Sequence, residues 1–369
     1  MCSNCGIPAN VETGEVFAER MMDTMNSATL AMMVSVGHRT GLFDTMAKLP
    51  AATVEEIAEA AGLNQRYVRE WLGAMTTGRI VEHDGAAQTY RLPAAHAAWL
   101  TREASPNNLA ASMQFMSVLG SVETQIVDCF RHGGGVRYEQ FERFSEVMAE
   151  ESAQTVVAVI AEHVVPMLGE ETLERLRTGA QVLDVGCGSG RALVELATIF
   201  PNSRFTGYDL LPEAIEAATR HAAARGVSNV TFERRDVTEP FGFDRYDLVT
   251  TFDAVHDQAH PDRVLANIRA ALKPGGTYLM QDIAMQTPHA ENMDHPLAPF
   301  IYTISCMHCM TVSLAQGGMG LGAAWGKQLA LAMLEEAGFD GVEVTQLPHD
   351  PQNFWYTMRK GAEVKTRAA

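Results

Sequence analysis

The sequence is poor in basic residues and in long apolar runs, and each shortage excludes a class of protein. It has 28 Lys and Arg against 45 Asp and Glu, a formal charge of −17 that repels nucleic-acid phosphates and anionic membrane surfaces. The opening MCSNCGIPAN lacks the basic and apolar regions of a secretory leader, and we find no run of about eighteen apolar residues that would span a bilayer. We therefore expect a cytoplasmic protein with neither nucleic acid nor membrane as a partner.

Cysteine is also scarce, and its spacing does not indicate a disulfide framework. Two of the six cysteines are isolated, and the other four form two CxxC pairs, Cys2 with Cys5 and Cys306 with Cys309. Secreted domains that depend on disulfides are short and dense in cysteine, unlike this chain of 369 residues. The pattern predicts thiols in a reducing compartment.

The first hundred residues have the pattern of a small, mainly helical domain. Apolar positions at helical spacing predict helices over residues 15–48, broken at Gly37 and Gly41. Thr53 begins another helix with a capping-box pattern, and Asn64 caps the next. A short β pattern with an Asp-Gly turn, RIVEHDGAAQTYRL, follows. Helices followed by a β-hairpin in this order predict a winged-helix-like domain.

This winged-helix-like domain, which we assign to residues 1–105, either reads DNA or mediates self-association. Its second capped helix carries Arg66 and Arg69, which favours the first function. However, residues 1–100 hold seven Lys and Arg against eleven Asp and Glu, whereas domains that read DNA are usually basic. The methionine-rich apolar faces of the first helices exceed what so small a domain covers by itself. We therefore expect a homodimer.

The rest of the chain divides into a helical linker and an α/β domain. Helical patterns at 106–130 and 139–168, separated by a glycine run after Arg131, predict a linker over residues 106–170 that covers a pocket. From Gln181 strands and helices alternate, which predicts a parallel sheet with helices on both faces and ligands at the strands' carboxyl ends. The last two strands leave no room for a helix and should pair as an antiparallel hairpin. The predicted strands are Val182–Val185, Arg204–Tyr208, Val230–Arg234, Tyr246–Thr250, Thr277–Asp282, Val342–Gln346 and Phe354–Arg359.

The strongest motif is VLDVGCGSG at residues 182–190, where a buried strand runs into alternating glycines. Gly186, Gly188 and Gly190 let the backbone approach a ligand closely. A nicotinamide fingerprint would read GxGxxG and present a helix N-terminus to a pyrophosphate, whereas here Asp184 precedes the glycines. A carboxylate at this position suits a cationic amino-acid ligand better than a pyrophosphate.

Two further acids follow the next two strands. Asp209 ends the second strand in FTGYDLLPEAI, where a carboxylate can accept both hydroxyls of a ribose. Asp236 in FERRDVTEP follows the third strand, where it can accept from an adenine amino group. Three acids at three successive strand ends are much more specific than one glycine loop.

On these motifs, residues 181–282 resemble the class I methyltransferase family, and the LKPGG turn at 272–276 and the terminal hairpin extend the likeness. The whole chain is most similar to a bacterial group of transcriptional-regulator-like methyltransferases. The resemblance implies a Rossmann-like seven-stranded α/β domain over residues 171–369, with S-adenosyl-L-methionine as its cofactor. It assigns the glycine loop to the methionine part of the cofactor and the next two strand ends to the ribose and the adenine. The cofactor residues predicted in this way are Asp184, Gly186, Gly188, Gly190, Asp209, Leu210, Asp236, Val237, Phe252 and Asp253.

The fourth strand leads into TFDAVHDQ, which resembles the His-Asp pair of small-molecule O-methyltransferases that have winged-helix dimerisation domains. The resemblance implies that His256 is the general base and that Asp257 or Asp253 orients its ring. A lone histidine near the start of a helix is more often a cap or a packed residue. Gln258 stands where the plant enzymes have tryptophan, so their substrates cannot be carried over.

Residues 283–325 form an insertion that is rich in sulfur and poor in charge, and we expect it to act as a lid over a small-molecule acceptor. Glycines at 317–322 follow no strand, so they indicate a flexible lid rather than a phosphate loop. The sulfur-rich composition favours a small thiol as acceptor. Thiols have a pKa of about 8.5, so a weak base such as a histidine is enough to ionise them. Methylation of a hydroxyl or phenol is the alternative, and a regulator that binds the cofactor without catalysis is an alternative of another class. The predicted acceptor residues are Tyr302, Cys306, His308, Cys309 and Trp325.

The SCMHCM segment also raises the question of a metal. Cys306, His308 and Cys309 would be the local ligands of a zinc ion, with Cys2 and Cys5 as distant additions. N-terminal tails are usually mobile, which weakens that set. Buried thiols without metal are commoner in a cytosolic lid, so we assign no metal.

Overall fold

The computed structural model describes residues 12–348 and 350–361. Contacts divide the chain into two compact units, one ending at Ser117 and the other beginning at Val118. Cys2 and Cys5 lie outside the described residues. The domain boundaries at residues 105 and 170 stay predictions.

The first unit consists of helices followed by a small β-hairpin, the order expected of a winged helix. Its core is built on Ile57, Trp71, Leu72 and Met75, all of which are buried. In the wing, Glu82 pairs with Arg91 in antiparallel register. The elements are α1 (Gly14–Thr40), α2 (Leu42–Met46), α3 (Val54–Ala61), α4 (Gln65–Thr77), β1 (Glu82–Asp84), β2 (Thr89–Arg91), α5 (Ala94–Leu100) and α6 (Leu109–Ser112), with α7 (Phe115–Gly120) at the boundary.

Helix α1 continues through Gly37, so the predicted break there is wrong, and it ends at Gly41 as expected. A Cβ on Gly37 would lie 2.6 Å from the ring of Trp71, so this glycine permits the close packing of α1 on α4. The indole N–H of Trp71 also donates to the carbonyl of Met33 at 2.9 Å. Gly41 has φ of 73°, the left-handed conformation that commonly follows the last turn of a helix.

The second unit is a seven-stranded sheet with helices on both faces. The strand order is β5-β4-β3-β6-β7-β9-β8, with β9 antiparallel to both of its neighbours, which confirms the predicted fold class. The order reverses between β3 and β6, where ligands of such sheets bind. The strands are β3 (Gln181–Val185), β4 (Arg204–Asp209), β5 (Val230–Arg234), β6 (Tyr246–Phe252), β7 (Leu272–Ile283), β8 (Asp340–Leu347) and β9 (Asp350–Arg359). The helices are α8 (Glu123–His132), α9 (Phe144–Thr155), α10 (Gly169–Thr178), α11 (Arg191–Ile199), α12 (Pro212–Arg225), α13 (Pro261–Ala271), α14 (Ala298–Ile304), α15 (Met310–Ala315) and α16 (Lys327–Glu336).

Two helical stretches, Phe144–Thr178 and Ala298–Ala315, are long and apolar enough to cross a bilayer by length and composition, which corrects our expectation that no such run exists. Both contribute side chains to the protein interior. Ile160 and Leu176 from the first stretch are buried in the core around the sheet, and Ile301 from the second is buried as well. Their apolar character is thus used at least in part for packing within the unit.

Several element boundaries differ from the predictions. The LKPGG segment, expected as a turn, begins β7 as an irregular stretch in which the register with β6 shifts and Gly275 has φ of 74°. The helix predicted over 106–130 is divided into α6, α7 and α8. The helix predicted over 139–168 starts at Phe144 and turns into 3₁₀ and π segments after Thr155, where β-branched residues are frequent.

Candidate functional site

The glycine loop after β3 has the backbone that only glycine adopts readily. Gly186, Gly188 and Gly190 all have positive φ, between 51° and 74°. A Cβ would lie 2.7 Å from Ala254 at Gly186 and 2.6 Å from Phe232 at Gly190, whereas at Gly188 it would meet nothing within 4 Å. The outer two glycines therefore serve packing, and the middle one leaves open space for a ligand.

Asp209, at the end of β4, is tied to this loop. One carboxylate oxygen accepts from the backbone N–H of Gly188 at 2.9 Å, and the other accepts from that of Leu211, also at 2.9 Å. Asp184 is buried below the loop and accepts from the hydroxyl of Thr250 at 2.8 Å. Asp209 thus contacts the glycine loop directly, and Asp184 lies on the strand that leads into it.

Burial raises the pKa of Asp184 to about 7 and also raises the pKa of Asp209. A buried carboxylate that resists ionisation is stabilised by a cation placed beside it. The methionine part of S-adenosylmethionine is cationic, so the acids present fit that group.

The third strand end differs from the first two. Asp236 is exposed, and its Oδ1 accepts from the backbone and the hydroxyl of Thr238 at 2.9 and 2.6 Å. Val237 is buried in the core, while the side chain of Leu210, beside Asp209, is 46% exposed. An apolar side chain left exposed next to a carboxylate suits the wall of a nucleoside site.

His256, predicted as the general base, is buried among carboxylates. Its Nδ1 lies 2.7 Å from Oδ1 of Asp282, at the end of β7, and 3.8 Å from Oδ1 of Asp253. Its Nε2 lies 3.1 Å from Oδ1 of Asp257. The carboxylate that orients the ring is therefore Asp282, and Asp257 lies at the other nitrogen.

Asp282 is held firmly in turn. Its Oδ1 also accepts from the indole N–H of Trp325 at 3.0 Å and from the backbone N–H of Ile283 at 2.8 Å. Hydrogen bonds to a carboxylate fix its orientation, so Trp325 acts on His256 through Asp282. The indole of Trp325 is buried beside the acid.

The electrostatics of this cluster favour a charged imidazole. Burial opposes the imidazolium, but the carboxylates of Asp282 and Asp257 outweigh it, so the pKa of His256 lies well above its usual value. Burial also opposes ionisation of Asp257, yet His256 lowers the pKa of this acid to about 2. Burial raises the pKa of Asp253. The cluster thus holds a strongly basic imidazole against an ionised carboxylate.

Besides Trp325, the insertion brings two further predicted residues to this cluster. The Sγ of Cys309 lies within 4.8 Å of ligand atoms of His256 and Asp257, and burial raises the pKa of its thiol to about 12. His308 is fully buried, stacks on Phe144 with ring centroids 3.4 Å apart, and finds no hydrogen-bond partner for either nitrogen among the described residues. Burial lowers the pKa of His308 to about 4, so its imidazole is neutral.

The other two predicted acceptor residues have different surroundings. Tyr302 accepts a hydrogen bond from Asn292 at 2.9 Å and packs against His289. Cys306 is a half-buried free thiol one helical turn before Cys309. Phe252, predicted to contact the cofactor, has its ring edge-on to Trp355.

Sequence reasoning missed three residues of this region. Asp282 ends a predicted strand, so the signal that identified Asp184 and Asp209 applied to it as well. Tyr138 and Phe144 come from the segment before the sheet, and both pack their rings against His308. Burial and the nearby charges of Asp257 and Asp209 raise the pKa of Tyr138. No local pattern in the sequence marks these two aromatic residues.

Comparison with known proteins agrees with this architecture. Residues 28–102 match the Rv2258c-like winged HTH domain, and residues 176–338 match a methyltransferase domain. Trans-aconitate 2-methyltransferase of Deinococcus radiodurans is 34% identical over 119 residues, which cover 32% of this chain and 41% of that protein. The chain spans less than half of the length of the first curated relatives that it matches.

Solved structures resemble nearly the whole chain. A putative O-methyltransferase from Nostoc punctiforme superposes with a TM-score of 0.70 at 19% identity, covering 93% of this chain and 99% of that one. Human N-acetylserotonin methyltransferase, in complex with SAM, superposes with a TM-score of 0.65 at 20% identity, covering 95% of this chain and 100% of that one. At this identity the likeness establishes the fold. The chain thus has a region that matches an Rv2258c-like winged helix-turn-helix domain and a second region that matches a methyltransferase domain, in the fold of these solved structures.

Proposed function

We propose that this protein is an S-adenosylmethionine-dependent methyltransferase that methylates a small molecule, with a small thiol as the favoured acceptor. The observation that carries the proposal is the juxtaposition, at the carboxyl ends of β3, β4, β6 and β7, of a glycine loop, the buried Asp184, the half-buried Asp209 and an oriented histidine. The first three features suit the cofactor, and the histidine suits an acceptor that must lose a proton.

Each part of the cofactor would be held by residues at a different strand end. The glycine loop with Asp184 would hold the methionine part of the cofactor, Asp209 and Leu210 the ribose, and Asp236 and Val237 the adenine, while Phe252 and Asp253 lie at the end of the neighbouring strand. When bound, the cofactor supplies an electrophilic methyl group on a sulfonium. The main task of the protein is then to align the acceptor and to exclude water.

His256 would receive the acceptor's proton. Asp282 occupies Nδ1, which leaves Nε2 as the nitrogen for that proton. Because Asp282 and Asp257 favour the imidazolium, the neutral ring that accepts the proton becomes populated as the pH rises. A thiol that passed its proton to Nε2 would become the thiolate nucleophile. The cofactor, held by the glycine loop, Asp184 and Asp209, would supply the methyl group, so the products would be S-adenosylhomocysteine and the methylated thiol.

The charge on His256 suits a thiol acceptor. An imidazolium lowers the pKa of a neighbouring thiol, which is about 8.5 in water, and forms an ion pair with the thiolate. The free thiols and methionines of the insertion, together with the aromatic rings around His308, suit a compact, polarizable acceptor. Tyr302, Cys306, His308, Cys309 and Trp325 remain the proposed acceptor residues, with Trp325 acting through Asp282.

A hydroxyl or phenol is the second candidate acceptor, because several structural neighbours are named as O-methyltransferases. Full-length protein incubated with methyl-labelled cofactor and a panel of thiols, phenols and carboxylates distinguishes the two. We expect labelled product from a thiol. A phenol turned over a hundredfold faster than every thiol would exclude S-methylation. Cofactor binding without turnover of any acceptor would favour a regulator that binds the cofactor without catalysis.

We further propose that the N-terminal helix makes the protein a homodimer. Residues 12–29, which comprise the start of α1 and the two residues before it, are exposed throughout. They include Phe17, Met22 and Met25, each between 48% and 61% exposed. A helix gains stability by covering exposed apolar side chains of this kind, and the same helix of a second copy is always available at equal concentration. Light scattering at micromolar concentration should give twice the mass of the chain, and Met22→Glu should give a monomer.

The surface of α4 and the cysteines support the predictions of no nucleic-acid partner and a cytoplasmic location. On α4, Arg66 pairs with Glu70 and Arg69 pairs with Glu55, so acids of the same surface already neutralise the arginines that a DNA-reading helix would present. The cysteines among the described residues are free, as expected in the reducing cytoplasm. We therefore propose a cytoplasmic enzyme without a nucleic-acid partner.

A further inference from the structure

We infer that His256, Asp257 and Cys309 form a binding site for one divalent transition-metal ion, zinc being the best match. A ring nitrogen of His256, a carboxylate oxygen of Asp257 and Sγ of Cys309 all lie within 4.8 Å of one another, and Nε2 is the nitrogen that faces Asp257. This set differs from the zinc ligands considered from the sequence, since it uses two residues after β6 and only one cysteine of the CxxC pair. The inference concerns metal binding and goes beyond the proposed methyl transfer.

The spacing fits a shared ion. Zinc lies about 2.0–2.3 Å from nitrogen, oxygen and sulfur ligands, so neighbouring ligand atoms of a tetrahedral site are roughly 3.3–3.7 Å apart. Nε2 of His256 and Oδ1 of Asp257 are 3.1 Å apart. This Oδ1 is shielded from solvent and has no hydrogen-bond partner within residues 12–348 and 350–361, so it is available as a ligand.

The histidine is also oriented as metal-binding histidines are. Such a histidine usually donates its second ring N–H to a carboxylate, which fixes the tautomer and directs the other nitrogen at the ion. Here Nδ1 lies 2.7 Å from Asp282, and Trp325 and the N–H of Ile283 hold that acid in place. The second group of possible ligands, Asp253, His256 and Asp282, would need Nδ1, which already has this partner.

The charges and donor types select the class of ion. Three carboxylates, those of Asp253, Asp257 and Asp282, surround one imidazole, so a cation is favoured there, and a metal ion would replace the protons of His256 and Cys309. A site of one nitrogen, one sulfur and one oxygen suits zinc, cobalt or copper, whereas magnesium and calcium prefer oxygen alone. Three protein ligands leave a fourth position of a tetrahedron open.

Metal binding and the proposed base function exclude each other, because both use Nε2 of His256. Zinc in excess should therefore slow methyl transfer, and a chelator should restore it. The chain would then respond to free zinc through its own catalytic histidine.

Cobalt binding to the full-length protein tests the inference, because a cobalt–thiolate bond gives a charge-transfer absorption in the near ultraviolet. After treatment with a chelator, the protein should bind one Co²⁺ per chain with this absorption, and Zn²⁺ should displace it. Cys309→Ser should abolish the absorption, and Asp257→Asn should weaken binding at least tenfold. The matched control Cys306→Ser, one turn earlier on the same segment, should retain the absorption.

The inference is wrong if the wild-type protein shows no sulfur-to-cobalt absorption. It is equally wrong if Cys309→Ser retains the band or if the double variant Cys2→Ser, Cys5→Ser loses it, since the ion would then be bound elsewhere. Calorimetric binding of S-adenosylhomocysteine to each variant verifies that it is folded. That binding does not depend on the metal, so failure of the metal site leaves the proposed methyltransferase function standing.

Discussion

The two halves of the candidate site are built in different ways. In the cofactor half, Asp184, the glycine loop and Asp209 lie within 26 consecutive residues, and backbone geometry connects them. In the acceptor half, His256, Asp282, Cys309 and Trp325 come from three separate parts of the chain. A short motif can therefore specify a site for a common cofactor, whereas the positions of the reacting residues depend on how distant segments pack.

The acceptor half should show the largest effect. His256→Ala should lower turnover by roughly a hundredfold or more and leave the affinity for S-adenosylhomocysteine nearly unchanged, as expected for a general base. Steady-state kinetics with the best acceptor of the panel measure the first quantity, and calorimetry measures the second. His260→Ala, at the cap of α13, is the matched control and should retain turnover. Near wild-type activity of His256→Ala at neutral pH would show that the residue is structural or that the acceptor arrives ionised.

The cofactor half should respond in affinity. Asp209→Ala should weaken binding of S-adenosylhomocysteine by about 1.5–3 kcal/mol, the contribution of hydrogen bonds to a charged acceptor. This corresponds to roughly 10-fold to 150-fold in the dissociation constant. Glu216→Ala, exposed on α12, is a control that should change nothing. An unaltered constant for Asp209→Ala would remove this acid from the site.

The pH dependence of cofactor binding should identify Asp184. Burial raises the pKa of this acid to about 7, so it is ionised above that pH and neutral below it. Because only the carboxylate attracts the cationic cofactor, affinity should fall as pH decreases below 7, approaching tenfold per unit. Calorimetry between pH 5.5 and 8.5 measures this slope, and Asp184→Asn should flatten it. A wild-type affinity that is constant across the range would contradict the assignment.

The smallest effect should come from a residue that acts on the base indirectly. Trp325→Phe removes one of the hydrogen bonds to Asp282 but keeps an aromatic ring in the core, so turnover should fall less than about tenfold. The pH profile of turnover should shift, because the acid that sets the pKa of His256 loses a donor. Trp99→Phe, on the exposed surface of the first unit, should leave both quantities unchanged. If both variants behave alike, Trp325 is a packing residue only.

Much of the fold was predictable because it rests on local patterns. All seven strands of the large sheet, the terminal hairpin and the wing were expected, since strand patterns and turn residues specify them within a few residues. Gly41 was predicted to end α1 because its left-handed conformation is a local property. Gly37 was misread as a helix break, because the reason for that glycine is the ring of Trp71, 34 residues later in the chain.

The cofactor half of the site was predictable for the same reason, whereas part of the acceptor half was not. The glycines and Asp209 follow strands directly, and the hydrogen bond between Gly188 and Asp209 brings them together as expected. Asp282 carried the same signal but was not recognised as the partner of His256. The packing of Tyr138 and Phe144 against His308 depends on a helical segment more than 150 residues earlier, and no spacing rule reports it.

The central claim is that the loop and acids at the ends of β3 and β4 bind S-adenosylmethionine. Calorimetric titration of the full-length protein with this cofactor tests the claim most directly, with Asp209→Ala measured in parallel. We predict saturable binding of one molecule per chain, with an affinity for the variant that is at least roughly tenfold weaker. Absence of binding at millimolar cofactor, or equal affinity of the two proteins, would contradict the account.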